Sequence, residues 1–194
     1  MRFIYRFFFF TIYKWKISGK LPDLNKYVLI VAPHTSNVDF FIGLAARSIL
    51  HLKASYLGKA ELFRPPHGWI FKALGGYPVD RSKHTNLVDS VVEIFKREKE
   101  FRLALAPEGT RSEVKQWKSG FYHIAVKAKV PIVMVSFDYL DKTVYVNEPF
   151  FPGGKLDEDW KVIYDFYKSR NGKFPKRVPE FFNSDSPRQT MPGQ

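Results

Sequence analysis

Cysteine is absent from the 194 residues, which excludes a disulfide framework, a thiol nucleophile, a Cys-based zinc site and an acyl-cysteine intermediate. Acidic residues are scarce. The 19 Asp and Glu stand against 31 Lys and Arg, a formal net charge of +12. That surplus on a small chain creates a positive field that gathers anionic partners, and lipid headgroups, an acidic carrier protein, coenzyme A phosphates and nucleic acid all satisfy it. A long apolar run is also missing. A transmembrane helix needs about 20 apolar residues, whereas the run from Phe3 to Tyr13 is interrupted by Arg6 and closed by Lys14 and Lys16. No small-residue cleavage pattern follows it, so it reads as retained and not as a signal peptide. There is no Gly-x-Ser-x-Gly elbow for a serine nucleophile and no RNA-reading signature, which argues against a hydrolase and a nucleic-acid module. A single candidate His and scattered carboxylates lack metal-ligand spacing, so no metal is expected. His51, His67, His84 and His123 receive no role.

What the chain does have is aromatic and apolar residues in ordered patterns. The N-terminal aromatics, flanked by Arg2, Arg6, Lys14, Lys16 and Lys20, suit a helix over residues 1–20 lying in the headgroup layer of an anionic membrane. The alternative is a helix packed on the core. Short apolar runs bounded by Pro or Gly read as buried strands at Tyr27–Ala32, Tyr77–Val79, Arg102–Ala106 and Ile132–Phe137. A further strand at Thr143–Val146 is expected at a sheet edge. Helical spacing is found at Asn37–Leu52, Asn86–Lys96, Gly120–Ala128 and Leu156–Ser169. Alternating strands and helices imply one α/β domain over 21–182 with a largely parallel central sheet flanked by helices, and a flexible tail over 183–194.

Two strand ends carry candidate chemistry. After the first strand the sequence reads Pro33-His34-Thr35-Ser36-Asn37-Val38-Asp39. Five residues are about 500° of helix rotation, so His34 and Asp39 cannot share a helical face. His34 must lie in the turn, and Asp39, in the first helical turn, can reach back to orient the imidazole and stabilise it when protonated. The competing reading is a capping box, in which Asp39 merely accepts the Ser36 backbone N–H. After a later strand comes Ala106-Pro107-Glu108-Gly109-Thr110-Arg111-Ser112. Gly109 permits a sharp turn close to a ligand, and Arg111 offers a planar fork for phosphate or carboxylate. Arg81 follows the Gly75–Val79 stretch at the same expected sheet edge, where such folds bind ligands; its alternative is a surface ion pair with Asp80 or a nearby Glu.

The order His-x4-Asp, Gly-x-x-x-Val-x-Arg, Pro-Glu-Gly-Thr-Arg-Ser and Val-Pro-Ile-Val resembles the motifs of the glycerophospholipid acyltransferase family, which includes 1-acylglycerol-3-phosphate acyltransferases. The resemblance covers about residues 28–137, and Trp117-Lys118-Ser119-Gly120 also resembles a family segment. Pro33 stands where the family often has Asn, and Met134 where it often has a second Pro. The resemblance implies a metal-independent acyltransferase without a cofactor, in which His34 is the general base and Asp39 supports it. Arg81, Glu108, Gly109, Thr110 and Arg111 would hold the acceptor's phosphate. The implied donor is acyl-CoA or acyl carrier protein, and the acceptor a lysolipid hydroxyl. Lysophosphatidic acid, a lyso-aminolipid and other lysolipids stay open. The expected location is peripheral or monotopic on the cytoplasmic face of the inner membrane, with no nucleic-acid partner.

Overall fold

A computed structural model describes residues 6–73, 75–79 and 87–180. The central sheet has five strands: β1 (Lys16–Ser18), β2 (Lys26–Val31), β5 (Phe101–Leu105), β6 (Ile132–Asp138) and β7 (Thr143–Val146). Their spatial order is β1-β7-β6-β2-β5. β2 lies between β6 and β5 and is parallel to both; among the described strands the β6–β7 pair alone is antiparallel. A smaller parallel pair, β3 (Tyr56–Lys59) and β4 (Gly76–Val79), joins the β5 side through a bridge from Ser55 to Leu103.

The layering follows from the side-chain alternation of strands. Val28, Ile30, Ile132 and Met134 point to one face, beneath α3 (Leu87–Arg97), α4 (Gly120–Ala128) and α5 (Leu156–Tyr167). Tyr27, Leu29, Val133 and Val135 point to the other, beneath α1 (Val38–Ile49) with Phe9 and Trp15. All seven residues of β6 are buried, and as expected of a strand covered on both faces it reads as a nearly continuous apolar run, broken by Ser136 and ended by Asp138. In α3 the inward residues Val91, Val92 and Phe95 recur at helical spacing, while Asp89 in the first turn and Lys96 and Arg97 in the last complement the helix dipole.

Several expectations need correction. The N-terminal segment is not one interfacial helix over 1–20. Residues Phe7–Ile12 form a π-helical turn, and Lys16–Ser18 is a strand of the central sheet, parallel to β7. β1 therefore covers β7, and Thr143–Val146 is an interior strand, not an edge. Phe9 alone of this turn is buried, against Trp15, while Phe7, Phe8, Phe10 and Ile12 stay exposed. Packing on the core and exposure to a surface thus divide the same turn between them. β3 and the short α2 (Gly68–Ala73) were not expected. The expected tail over 183–194 lies outside the described residues.

Tyr167 of α5 fixes the site end of the sheet. It is fully buried, and its hydroxyl donates to the Ile30 carbonyl at 2.8 Å and accepts the Val135 N–H at 3.2 Å. Buried backbone groups left without such a partner cost on the order of 1–3 kcal/mol, so one phenol ties the end of β2 to the middle of β6.

Candidate active site

β2 and β5 run parallel as neighbours, so the turns that leave their carboxyl ends are adjacent. The first carries His34 and leads into α1. The second carries residues 107–112.

At the first turn Asp39 is 3% exposed. Its Oδ2 accepts the backbone N–H of Thr35 at 2.8 Å and of Ser36 at 2.9 Å, and lies 3.0 Å from His34 Nδ1. Its Oδ1 accepts the Tyr139 hydroxyl at 2.5 Å. The capping contact and the imidazole contact therefore coexist. Burial alone would raise the carboxyl's pKa, but hydrogen bonds from His34, Tyr139, Ser36 and Thr35 outweigh it and hold Asp39 below the usual carboxylate value. An ionised carboxylate only accepts hydrogen bonds, so the proton between the pair belongs on Nδ1 and the lone pair on Nε2. The His34 side chain is 30% exposed, which lets the ring meet a ligand.

At the second turn the expected residues separate. Glu108 is 2% exposed and points inward. Its Oε1 accepts the His34 backbone N–H at 2.9 Å, and its Oε2 pairs with Lys176. Glu108, expected as a contact to the acceptor, ties the two turns together. Gly109, Thr110 and Arg111 are exposed. Gly109 has φ +70°, and a Cβ there would stand 3.0 Å from the Lys118 side chain, so glycine permits both the turn and the approach of a second cation. Arg111 reaches across to the Asn37 amide oxygen, which places its guanidinium beside the His34 turn. Arg81, expected at the same edge, lies outside the described residues. Among the described residues, no group of three or more His, Asp or Glu is placed to hold a metal ion.

Tyr139, Asn37 and Lys176 escaped the sequence reading. Tyr139 lies 100 residues from Asp39, and no spacing rule links them. The Ser136-Phe137-Asp138-Tyr139 end of an apolar strand was the one available signal, because parallel strands deliver their carboxyl ends to a common edge.

Two cavities lie near the site. An apolar one of about 190 Å³ sits between α1 and the sheet, lined by Leu29, Val31, Phe40, Gly43 and Leu44. A wider one of about 960 Å³ is polar and runs along residues 170–180, past Lys115, Lys173 and Arg177, with Lys176 on its wall. His34 lines neither.

Known proteins share the family and the mostly parallel fold in which this His-Asp pair and Gly-Thr-Arg turn are set. A model of the Acyltransferase family covers residues 14–138, and the chain belongs to that family. Among individual proteins it is similar to the 1-acyl-sn-glycerol-3-phosphate acyltransferase of Saccharomyces cerevisiae, 30% identical over 62% of this chain and 41% of the relative. The Escherichia coli protein of the same name is 27% identical over 68% of this chain and 56% of its own length. The chain thus spans about half the length of these curated relatives. The crystal structure of the 1-acyl-sn-glycerophosphate (LPA) acyltransferase of Thermotoga maritima shares the fold, with a TM-score of 0.56 at 21% identity, covering 89% of this chain and 81% of that one.

Tyr139→Phe removes one donor from Asp39 and should move the Asp39 pKa upward, towards the ordinary carboxylate value. Because the folded-state value is depressed, the stabilisation exists above the unfolded value and is lost as pH falls through the folded one. The stability gap between wild type and Tyr139→Phe should therefore be full at neutral pH and shrink below about pH 4. Carbon-13 NMR titration of the Asp39 carboxyl, with denaturation at each pH, checks both.

Proposed function

We propose that this chain moves a fatty acyl group from acyl-CoA or acyl carrier protein to a hydroxyl of a lysolipid, with 1-acylglycerol-3-phosphate the first acceptor to test. The observation that carries this reading is the His34–Asp39 pair, 3.0 Å apart, with Arg111 hydrogen-bonded to Asn37 of the same turn. As the acceptor oxygen attacks the thioester carbonyl carbon, its proton passes to Nε2 of His34. Asp39, ionised and bonded to Nδ1, stabilises the imidazolium. The tetrahedral intermediate collapses, the C–S bond breaks, and the departing thiolate takes the proton back from His34. No acyl-enzyme forms and no metal is required. Arg111 and Lys118, on the rim of the Gly109 turn, would hold an anionic headgroup, with Arg81 as a further candidate. The tetrahedral oxyanion needs hydrogen-bond donors, and backbone N–H groups near Gly109 are the candidates. The apolar cavity beneath α1 suits part of an acyl chain. Lys115, Lys173 and Arg177 give the wider cavity a cationic wall suited to coenzyme A phosphates or an acidic carrier protein.

The membrane is the proposed workplace. No described helix is long and apolar enough to cross it. Exposed Phe7, Phe8 and Phe10, with Phe40 and Phe41 of α1, support contact with lipid, and the +12 net charge supports anionic headgroups. A peripheral or monotopic enzyme on the cytoplasmic face of the inner membrane would meet both donors there. A lyso-aminolipid acceptor is the second reading, favoured if Arg111 proves indifferent to the headgroup.

His34→Ala should lower transfer of a radiolabelled acyl group by roughly 10²- to 10⁴-fold, the usual worth of a positioned base, with an unchanged circular dichroism spectrum. Wild-type turnover would refute the assignment. Arg111→Ala removes charge-assisted hydrogen bonds worth roughly 1.5–3 kcal/mol each. For a phosphorylated acceptor it should raise KM about tenfold or more, and an unmoved KM would point to another headgroup. Replacing Phe7, Phe8 and Phe10 together by Ser should weaken co-sedimentation with anionic vesicles.

A further inference from the structure

After α5 the chain makes no regular secondary structure through Glu180, yet it is fastened across the site end of the sheet. The Asn171 carbonyl accepts the Tyr139 N–H at 2.8 Å. The Asn171 backbone and side-chain N–H groups donate to Asp138 Oδ2 at 3.0 and 3.2 Å. A Cβ on Gly172 would stand 2.5 Å from Thr35 Cγ2, so only glycine lets the strap lie this close to the His34 turn. The Phe174 N–H points to Thr35 Oγ1 at 3.4 Å. Lys176 then enters the protein with its side chain 3% exposed. Its ammonium donates to the His34 carbonyl at 3.1 Å, to the Thr110 carbonyl at 3.1 Å and to Glu108 Oε2.

An ammonium carries three N–H donors, and here each has a partner on one of the two turns. We propose that Lys176 is a positioning residue that clamps the His34 turn to the 108–111 turn, setting imidazole and Arg111 against one acceptor. The proposal rests on the reading of His34 as base. It differs from simple neutralisation of Glu108 because two of the three bonds go to carbonyls, which need no counter-charge. Those carbonyls belong to the residue that bears the proposed base and to the neighbour of the anion-binding arginine. Removing the clamp leaves every proposed reacting group present but lets the turns drift apart, and a displacement of about 1 Å is enough to cost about 10²-fold in rate.

The test compares Lys176→Met with the double variant Lys176→Met, Glu108→Gln. The single variant buries an unpaired carboxylate and is expected to lose stability strongly, or to fail to fold. The double variant removes both charges at similar volume, and the glutamine side chain keeps an oxygen for the His34 N–H. It should regain a near-wild-type melting temperature while kcat stays about 10²-fold low and the acceptor KM rises, because Arg111 is no longer held against the headgroup. The His34 amide should exchange faster with deuterated water, a readout that requires no acyl transfer. A double variant with wild-type kcat overturns the clamp and leaves a structural ion pair. Should the wild-type chain prove inactive with every donor and acceptor tried, the functional reading fails, and unchanged His34 exchange in the double variant would overturn the clamp separately.

Discussion

A carboxylate 3% exposed to water is stable in its charged form only if donors surround it, and the geometry of the site follows from satisfying Asp39. Two of its donors are backbone N–H groups of the turn it belongs to, which fixes the path of that turn from β2 into α1. A third is the imidazole, whose tautomer and direction are thereby set. The last is Tyr139, just beyond β6, whose ring packs edge-on against Trp15 at 5.1 Å, with Phe9 behind it at 6.1 Å. One buried charge thus links the proposed base to the central sheet and, ring by ring, to the aromatic turn at the N-terminus. The antiparallel β6–β7 pair and the parallel addition of β1 place those rings where they can do this.

The parts of the fold most legible in the sequence are short apolar runs and regular helical spacing. β2, β5 and β6 announce themselves as apolar runs because sheet interiors leave no polar face, and α3 and α5 because their inward residues keep helical spacing. β1 is Lys-Ile-Ser with only its middle residue partly buried, so it carries no periodic signal, and it becomes a strand because β7 offers an unpaired edge. β3, Tyr-Leu-Gly-Lys, has its short apolar run cut by Gly58, and the six residues of α2 are too few for helical spacing to show. β7 looked like an edge because nothing in Lys16–Ser18 advertises a partner for it.

The site was legible to the same extent and for a related reason. His34 and Asp39 are five residues apart across one strand-to-helix corner, so local geometry nearly determines their meeting. The choice between a backbone cap and a partner for the imidazole dissolved because one carboxylate oxygen meets both donors. For Glu108 the motif marked the position without showing which way it faces, and its contacts run inward to the His34 N–H and Lys176. Tyr139 and Lys176, 100 and 142 residues from their contacts on the His34 turn, are supplied by topology, which brings β6 and the chain after α5 to the carboxyl ends of the strands.

The charges around the site divide by burial, and the division has chemical meaning. Glu108 and Lys176 cancel one another with side chains almost wholly buried, and Asp39 is matched by the imidazole that would become cationic in the proposed transfer. None of these charges is left to attract a ligand. Arg111 stands apart: it is exposed, and the group holding it is the neutral amide of Asn37. An amide oxygen orients a guanidinium without neutralising it, whereas a carboxylate would do both. Lys118, beside Gly109, adds a second positive charge on the same rim. A fold that neutralises its interior and holds its rim cation with a neutral partner keeps the positive field where a negatively charged headgroup would arrive. The +12 surplus thereby gains a direction at the site.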